Sequence, residues 1–225
     1  MYESSKKYDC LIFDWDGTLM DSAAQITSAV QAAAAKNDLE VPSSSDIRLG
    51  IGTSFSSQYR RLFIDSKPEE HVLLAQKVEK KFKDDFYKSF YLTTPGLFAQ
   101  VPEILESCKE LGCLLAIATS GQRRMLDTMF AEYNLESLFA VTCCGDEYKA
   151  KPDPEMLDHI RIELGINPEK ILMVGDSVND IYAAHRAGIK CAAVCTGVNS
   201  KSELERAGAD FICVDLRDIW HIIKS

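Results

Sequence analysis

Short apolar runs separated by helix-spaced apolar positions dominate the second part of the chain. From about Pro95 onward, residues 114–118, 139–143, 171–174, 191–194 and 211–214 are apolar and bounded by Gly, Thr, Asn or Asp. Runs of this length and composition predict strands buried on both faces. Between the first of them and Pro95, Leu97, Val101, Ile104, Leu105, Cys108 and Leu111 recur every three or four positions, and Met125, Leu126, Met129, Phe130 and Tyr133 do the same further on. That spacing places each set on one face of a helix. The alternation predicts parallel β-α-β units, with a sixth strand over residues 8–14 standing alone near the N-terminus.

Residues 21–94 break the alternation. Leu74, Val78, Phe82, Phe86 and Phe90 step by four through a charged stretch, and the alanine-rich segment 22–36 carries Ile26, Val30 and Ala33 on one face. Both predict helices, and no convincing strand lies between them. The expected architecture is therefore an α/β fold, a Rossmann-like doubly wound parallel sheet of residues 1–20 and 91–225, interrupted after its first strand by a small α-helical unit of residues 21–90.

Composition narrows the function classes. The 34 acidic against 25 basic residues give a formal net charge of -9, which opposes the basic footprint of a nucleic-acid binder and weakens attraction to an anionic membrane surface. The longest apolar run, residues 113–118, is far below the roughly 20 residues that span a bilayer. The eight cysteines sit mostly inside or beside apolar runs, where a reduced thiol acts as a small buried hydrophobe. No pair has C-x-x-C spacing, and Cys191 with Cys195, four apart, has no second cluster to complete a metal site. A reducing, cytoplasmic setting is expected, with neither nucleic acid nor membrane as partner, and an anionic substrate would need a metal or a placed cation.

Ligands of an open parallel sheet collect in the crevice outside the carboxyl ends of its strands. The first strand ends in Asp14-Trp15-Asp16-Gly17-Thr18-Leu19, the second in Thr119-Ser120-Gly121 and the fourth in Gly175-Asp176-Ser177-Val178-Asn179-Asp180, while Lys149-Ala150-Lys151-Pro152-Asp153-Pro154 precedes the fourth. Asp14 and Asp176 on neighbouring strand ends would repel one another unless a hard divalent cation lay between them. Mg²⁺, which takes one or two carboxylates and substrate phosphate oxygens, meets that need. An aspartate can also attack phosphorus, and Gly17 permits a turn that brings Asp16 over a leaving group. Thr119, with Ser120 beside it, offers a hydroxyl and backbone amides for an anion, and Lys151 offers a point cation. Singly, each has a plainer reading: Asp16-Gly17 as a turn, Thr119, Ser120 or Asp176 as helix caps, Lys151 as a surface lysine. Their joint placement at strand ends favours chemistry.

In this order the segments resemble the four signatures of the haloacid-dehalogenase-like hydrolase superfamily. Met20-Asp21-Ser22, Thr94-Pro95-Gly96 and Lys151-Pro152-Asp153-Pro154 are similar to its phosphoglycolate-phosphatase-like subgroup, and the helical unit matches that family's cap. The resemblance implies a Mg²⁺-dependent phosphatase acting on a small phosphorylated metabolite, as a monomer or weak homodimer. Asp14 would be phosphorylated, Asp16 would act as acid and then base, and Thr119, Ser120 and Lys151 would hold the phosphoryl group. Asp176 would bind the metal with Asp14 and the main-chain carbonyl of Asp16, and Asp180 would support the metal or orient Lys151. Trp15 departs from the commoner Leu or Met, with altered packing expected; Lys149 competes with Lys151 but does not stand directly before Pro-x-Pro. The segment Arg48-Leu49-Gly50-Ile51-Gly52-Thr53 is the expected substrate-facing part of the cap, where Arg48 either grips a second anionic group such as a carboxylate or is an ordinary surface arginine. A phosphomutase of the same superfamily and a non-catalytic phospho-aspartate or binding scaffold are the alternatives.

Overall fold

The structure, a computed structural model, describes residues 6–93 and 95–224; Thr94 of the Thr94-Pro95-Gly96 segment lies outside the described residues. In chain order the elements are β1 (Cys10–Phe13), β2 (Met20–Asp21), α1 (Ala23–Lys36), α2 (Ser44–Arg48), α3 (Phe55–Phe63), α4 (Glu69–Phe90), β3 (Gly96–Leu97), α5 (Val101–Glu110), β4 (Leu114–Thr119), α6 (Arg123–Tyr133), β5 (Val141–Cys144), α7 (Glu155–Leu164), β6 (Ile171–Gly175), α8 (Val178–Arg186), β7 (Lys190–Val194), α9 (Lys201–Arg206), β8 (Phe211–Cys213) and α10 (Ile219–Ile223). The six strands predicted from the apolar runs form one sheet in the order β5-β4-β1-β6-β7-β8, and every pairing in it is parallel.

β1 is the middle of this sheet and is buried throughout. Cys10 pairs with Leu114 of β4 on one side and Ile171 of β6 on the other, and Phe13 with Ile117 and Val174. Because alternate side chains leave a strand on opposite faces, Leu11 and Phe13 join one apolar cluster with α5, α6 and α10, while Cys10 and Ile12 join a second with α7 and α8. The sheet is thus covered on both faces, the doubly wound arrangement expected from near-continuous apolar runs. All eight cysteines are free and seven are buried, with burial pushing the thiols of Cys10, Cys108, Cys143, Cys144 and Cys213 up to about 12. Among the described residues no helix is long and apolar enough to cross a membrane.

Helices α1 to α4 build a third, separate apolar cluster. Its centre is aromatic: the Phe82 ring lies 5.0 Å from that of Tyr59 and 5.1 Å from that of Phe63, both edge-on, and the Tyr59 hydroxyl donates to the Ala75 carbonyl at 2.8 Å. Lys36 Nζ at 2.7 Å and Asn37 Nδ2 at 3.1 Å donate to the buried Asp85 carboxylate, tying the end of α1 to α4. The predicted stripe holds for Phe82, Phe86 and Phe90, but Leu74 is exposed and Ala75 takes the inward position. A step of four residues drifts by about 40° per step on a 3.6-residue helix, so one face cannot hold all five. Replacing Phe82, 2 % exposed, with Ala leaves a cavity at this centre, and chemical denaturation is expected to show a loss of about 3–5 kcal/mol.

Leu97 belongs not to a helix but to a short antiparallel ribbon, in which Met20 pairs with Leu97 and Asp21 with Gly96. Two-residue strands lack the length that reveals periodicity. The ribbon joins the entry and the exit of the helical segment, directly beside the end of β1.

Candidate active site

The chain fills one side of β1 with β4 and β5, then returns to the other side with β6, β7 and β8. A crevice opens where that direction reverses. Thr119 closes β4, Asp14 follows β1 and Asp176 follows β6, so three residues far apart in sequence become neighbours along one sheet edge. All three are buried.

Lys151 enters this edge from the loop between β5 and α7. Its Nζ lies 2.6 Å from Asp14 Oδ1 and 2.6 Å from Asp180 Oδ1, and donates to the Ala118 carbonyl at 2.7 Å. At 2 % exposure it is no surface lysine. Burial alone would lower its pKa, but the carboxylates of Asp14 and Asp180 outweigh it and hold the ammonium charged. Lys149, by contrast, is exposed and reaches only Asp153, at 3.9 Å.

The carboxylates have distinct settings. Asp176 accepts from Thr18 Oγ1 at 3.1 Å and from the Val198 amide at 3.0 Å. It does not cap α8; Ser177 does, accepting from the Asp180 amide at 3.3 Å. Asp180 Oδ2 reciprocates by accepting from the Ser177 amide at 2.9 Å and hydroxyl at 2.7 Å, a capping box that leaves Oδ1 facing Lys151. Asp14 Oδ2 is buried and has no hydrogen-bond partner among the described residues. Asp16 Oδ1 accepts from Ser22 Oγ at 2.6 Å. Burial pushes the Asp16 carboxyl up, opposed by the Ser22 hydrogen bond and the charge of Lys151.

Asp14, Asp176 and Asp180 bring carboxylate oxygens within 4.8 Å of one another. Burial raises the pKa of Asp14 and of Asp176, and repulsion from Asp180 raises both further. One ammonium against three buried carboxylates leaves the site short of positive charge. The unpartnered Asp14 Oδ2 and the all-oxygen donor set fit a hard divalent cation. The backbone closes over the same place: a Cβ on Gly197 would lie 1.7 Å from Asp176 Oδ2, and one on Gly17, whose φ is +86°, would lie 2.6 Å from it. Neither position can take a side chain without displacing the carboxylate.

Above these groups a cleft of about 550 Å³, open to solvent, is lined by Asp14, Asp16, Thr119 and Ser120 from the sheet edge and by residues of the helical segment. Thr119 Oγ1 accepts from the Gly121 amide at 3.0 Å and does not cap α6, whose N-cap position is Gln122. Ser120 Oγ is buried without a partner among the described residues. Gly50, Ile51, Gly52 and Thr53 line the cleft as expected, but Arg48 does not: it ends α2 with its side chain exposed. Gln58 and Tyr87 also line it, and the sequence pattern did not single them out. Tyr87 flanks the Phe82–Phe90 stripe, and Gln58 is one of several polar residues on the short helix α3, where nothing local marks it out. Trp15 turns into the core, its ring 5.5 Å from that of Phe130.

The chain is similar to several known proteins over nearly its whole length. A phosphoglycolate phosphatase of Mannheimia succiniciproducens is 29% identical over 97% of this chain and 100% of its own length. Phosphoglycolate phosphatase 1 of Pseudomonas aeruginosa is 30% identical over 93% of this chain and 77% of its own length. Among solved structures, a predicted phosphoglycolate phosphatase from Haemophilus somnus superposes with a TM-score of 0.83 at 25% identity, covering 96% of this chain and 98% of that one. A Thermotoga maritima structure provisionally named a β-phosphoglucomutase gives 0.71 at 27% identity, covering 95% and 97%. The family model of haloacid dehalogenase-like hydrolases matches residues 11–194, a span that takes in Asp14, Asp16, Thr119, Lys151, Asp176 and Asp180, and the chain belongs to that family.

Proposed function

We propose that this chain is a Mg²⁺-dependent phosphatase that hydrolyses small phosphomonoesters through a phosphorylated Asp14. The observation that carries this reading is the Asp14 carboxylate, which lines the cleft with one oxygen on Lys151 and the other unpartnered. The Asp14 carboxylate attacks phosphorus, and the bond from phosphorus to the ester oxygen breaks with its electron pair going to that oxygen. Asp16, whose carboxyl burial pushes toward the protonated form, gives the departing oxygen its proton. Asp16 then takes a proton from water as the water attacks phosphorus, which frees Asp14 and releases phosphate. Thr119 and Ser120 hold the phosphoryl oxygens, and Lys151 balances their charge.

Asp14, Asp176 and the main-chain carbonyl of Asp16 would hold Mg²⁺, which when bound offsets negative charge on the transferring group. Asp180, with both oxygens engaged by Lys151 and Ser177, serves as the residue that positions Lys151. Residues 21–90 act as a cap over a core of residues 1–20 and 91–225, and closure of such a cap shields the phosphoenzyme from bulk water. The substrate is a small phosphorylated metabolite, and the relatives' names put phosphoglycolate on the first panel beside sugar phosphates. The provisional mutase among the solved structures supports a second reading, in which Asp14 is reloaded from a bisphosphate and no phosphate is released. Phosphate release from an aryl phosphate with Mg²⁺, lost on chelation, is the expected result; sugar-phosphate isomerisation without release would replace the phosphatase reading by the mutase one.

A linked effect on stability is also expected. The raised carboxyls of Asp14 and Asp176 bind protons in the folded chain at pH values where they are free in the unfolded chain, so stability falls as pH rises through that window. Mg²⁺ binds the deprotonated form. Thermal melts are expected to show a larger Mg²⁺-induced rise in Tm at pH 8 than at pH 5, and an equal rise at both would contradict the assigned ligands.

A further inference from the structure

The alcohol half of a phosphomonoester must occupy the cleft beyond Asp16, and this space has a definite chemical character. The helical segment contributes Ile26, Thr53, Phe55, Gln58, Phe86 and Tyr87 to its wall. The charged residues that line it are Asp14 and Asp16, both carboxylates. Two of its polar cap groups are tied to the cap's own backbone: Thr53 Oγ1 donates to the Gly50 carbonyl at 2.6 Å, and Gln58 Nε2 donates one of its two protons to the Ile47 carbonyl at 3.1 Å. A threonine hydroxyl has a single proton, so Thr53 meets a ligand with lone pairs alone, while Gln58 keeps its carbonyl oxygen and one amide proton and Tyr87 brings a hydroxyl.

The nearby cations are placed elsewhere. Arg48 is exposed at the end of α2. Arg61 does not line the cleft: its Nη2 lies behind Gly50, 2.9 Å from where a Cβ there would sit, donates to the Asp46 carbonyl and borders a different hollow with Glu40 and Lys67. Lys83 Nζ sits over the Phe55 ring, 5.5 Å from its centroid. A carboxylate or second phosphate in this space would face the Asp16 carboxylate and neutral polar groups with no cation in the lining, a costly arrangement for a desolvated anion. Hydroxyl groups would donate to those same acceptors, with carbon atoms against Phe55 and Phe86.

We propose that the leaving alcohol is an uncharged polyol, so that the substrate class is the monophosphate of a neutral polyhydroxy compound, with Thr53 and Gln58 as specificity-determining residues. This rests on the phosphatase reading above. The test measures kcat/KM for glycerol phosphate and a hexose monophosphate against phosphoglycolate and a hexose bisphosphate, with an aryl phosphate as the reference for the chemistry itself. The neutral-alcohol esters are expected to exceed both doubly anionic ones by at least about tenfold, since like-charge juxtaposition costs several kcal/mol. Gln58→Lys and Thr53→Lys, each installing a cation in the wall, are expected to narrow the phosphoglycolate deficit at least about tenfold. The ratio is read within each protein, so partial loss of folded enzyme cancels. Parity or preference for phosphoglycolate or the bisphosphate in the unmodified chain, or a ratio unmoved in both lysine variants, overturns the proposal. Aryl phosphate hydrolysis alongside a preference for phosphoglycolate removes this inference alone; no hydrolysis of any ester removes the phosphatase reading with it.

Discussion

Asp14→Asn is expected to reduce turnover of any phosphomonoester on the order of 10⁴-fold or more, the scale seen when an attacking group is removed from a unit of cooperating residues. An amide keeps the shape but is a far weaker nucleophile than a carboxylate. It also removes one of the carboxylates that face Lys151, so fold and activity must be read separately. Circular dichroism and thermal melts should show a folded protein, because the Asp180 carboxylate remains 2.6 Å from the ammonium. Asp16→Asn provides the contrast. It spares the nucleophile but removes the group that takes a proton from water, so a stoichiometric burst of alcohol from an activated aryl ester should precede a stalled steady state. Full turnover in Asp14→Asn would exclude the covalent route, and equal loss of burst and steady state in Asp16→Asn would exclude its second role.

Lys151→Met is expected to combine a large catalytic loss with a large loss of stability. The ammonium is buried between Asp14 and Asp180, and removing one partner of a buried ion pair costs about 3–5 kcal/mol because the remaining charge is left uncompensated. Here two carboxylates lose their partner, and Asp176 lies beside them. Denaturation with and without Mg²⁺ checks this: the deficit should shrink when the ion is present, since a divalent cation supplies part of the missing positive charge. In kcat, loss of a preorganised positive group at the reacting phosphoryl is expected to cost about 10²–10³-fold. A Lys151→Met protein as stable as the parent in chelator would mean that the three carboxylates do not repel as their burial requires.

Much of this molecule could be read from residue order alone. Strand positions were legible because a strand buried on both faces must be a short apolar run, and all six runs became strands of one sheet. Asp14, Thr119 and Asp176 could be placed at strand ends by counting, and Lys151 beside them by its Pro-x-Pro context. Periodicity is a local property, and it reached no further. It overextended the α4 stripe to Leu74, and it put Leu97 in a helix where a two-residue ribbon forms.

Tertiary structure decided whatever depends on which elements are neighbours. The sheet order sets β4, β1 and β6 side by side, and only that adjacency turns three strand ends into one site and buries Lys151 among carboxylates. Arg48 and Thr53 belong to the same predicted loop, yet packing of α2 leaves the first in solvent and the fold of the loop brings the second to the cleft. Gln58 and Tyr87 reach the cleft in the same way, from helices whose orientation no local pattern encodes. The residue types capable of the chemistry were therefore determined by the sequence itself, while the chemical character of the cleft around them was settled by non-local packing, because a side chain's direction depends on what its helix packs against.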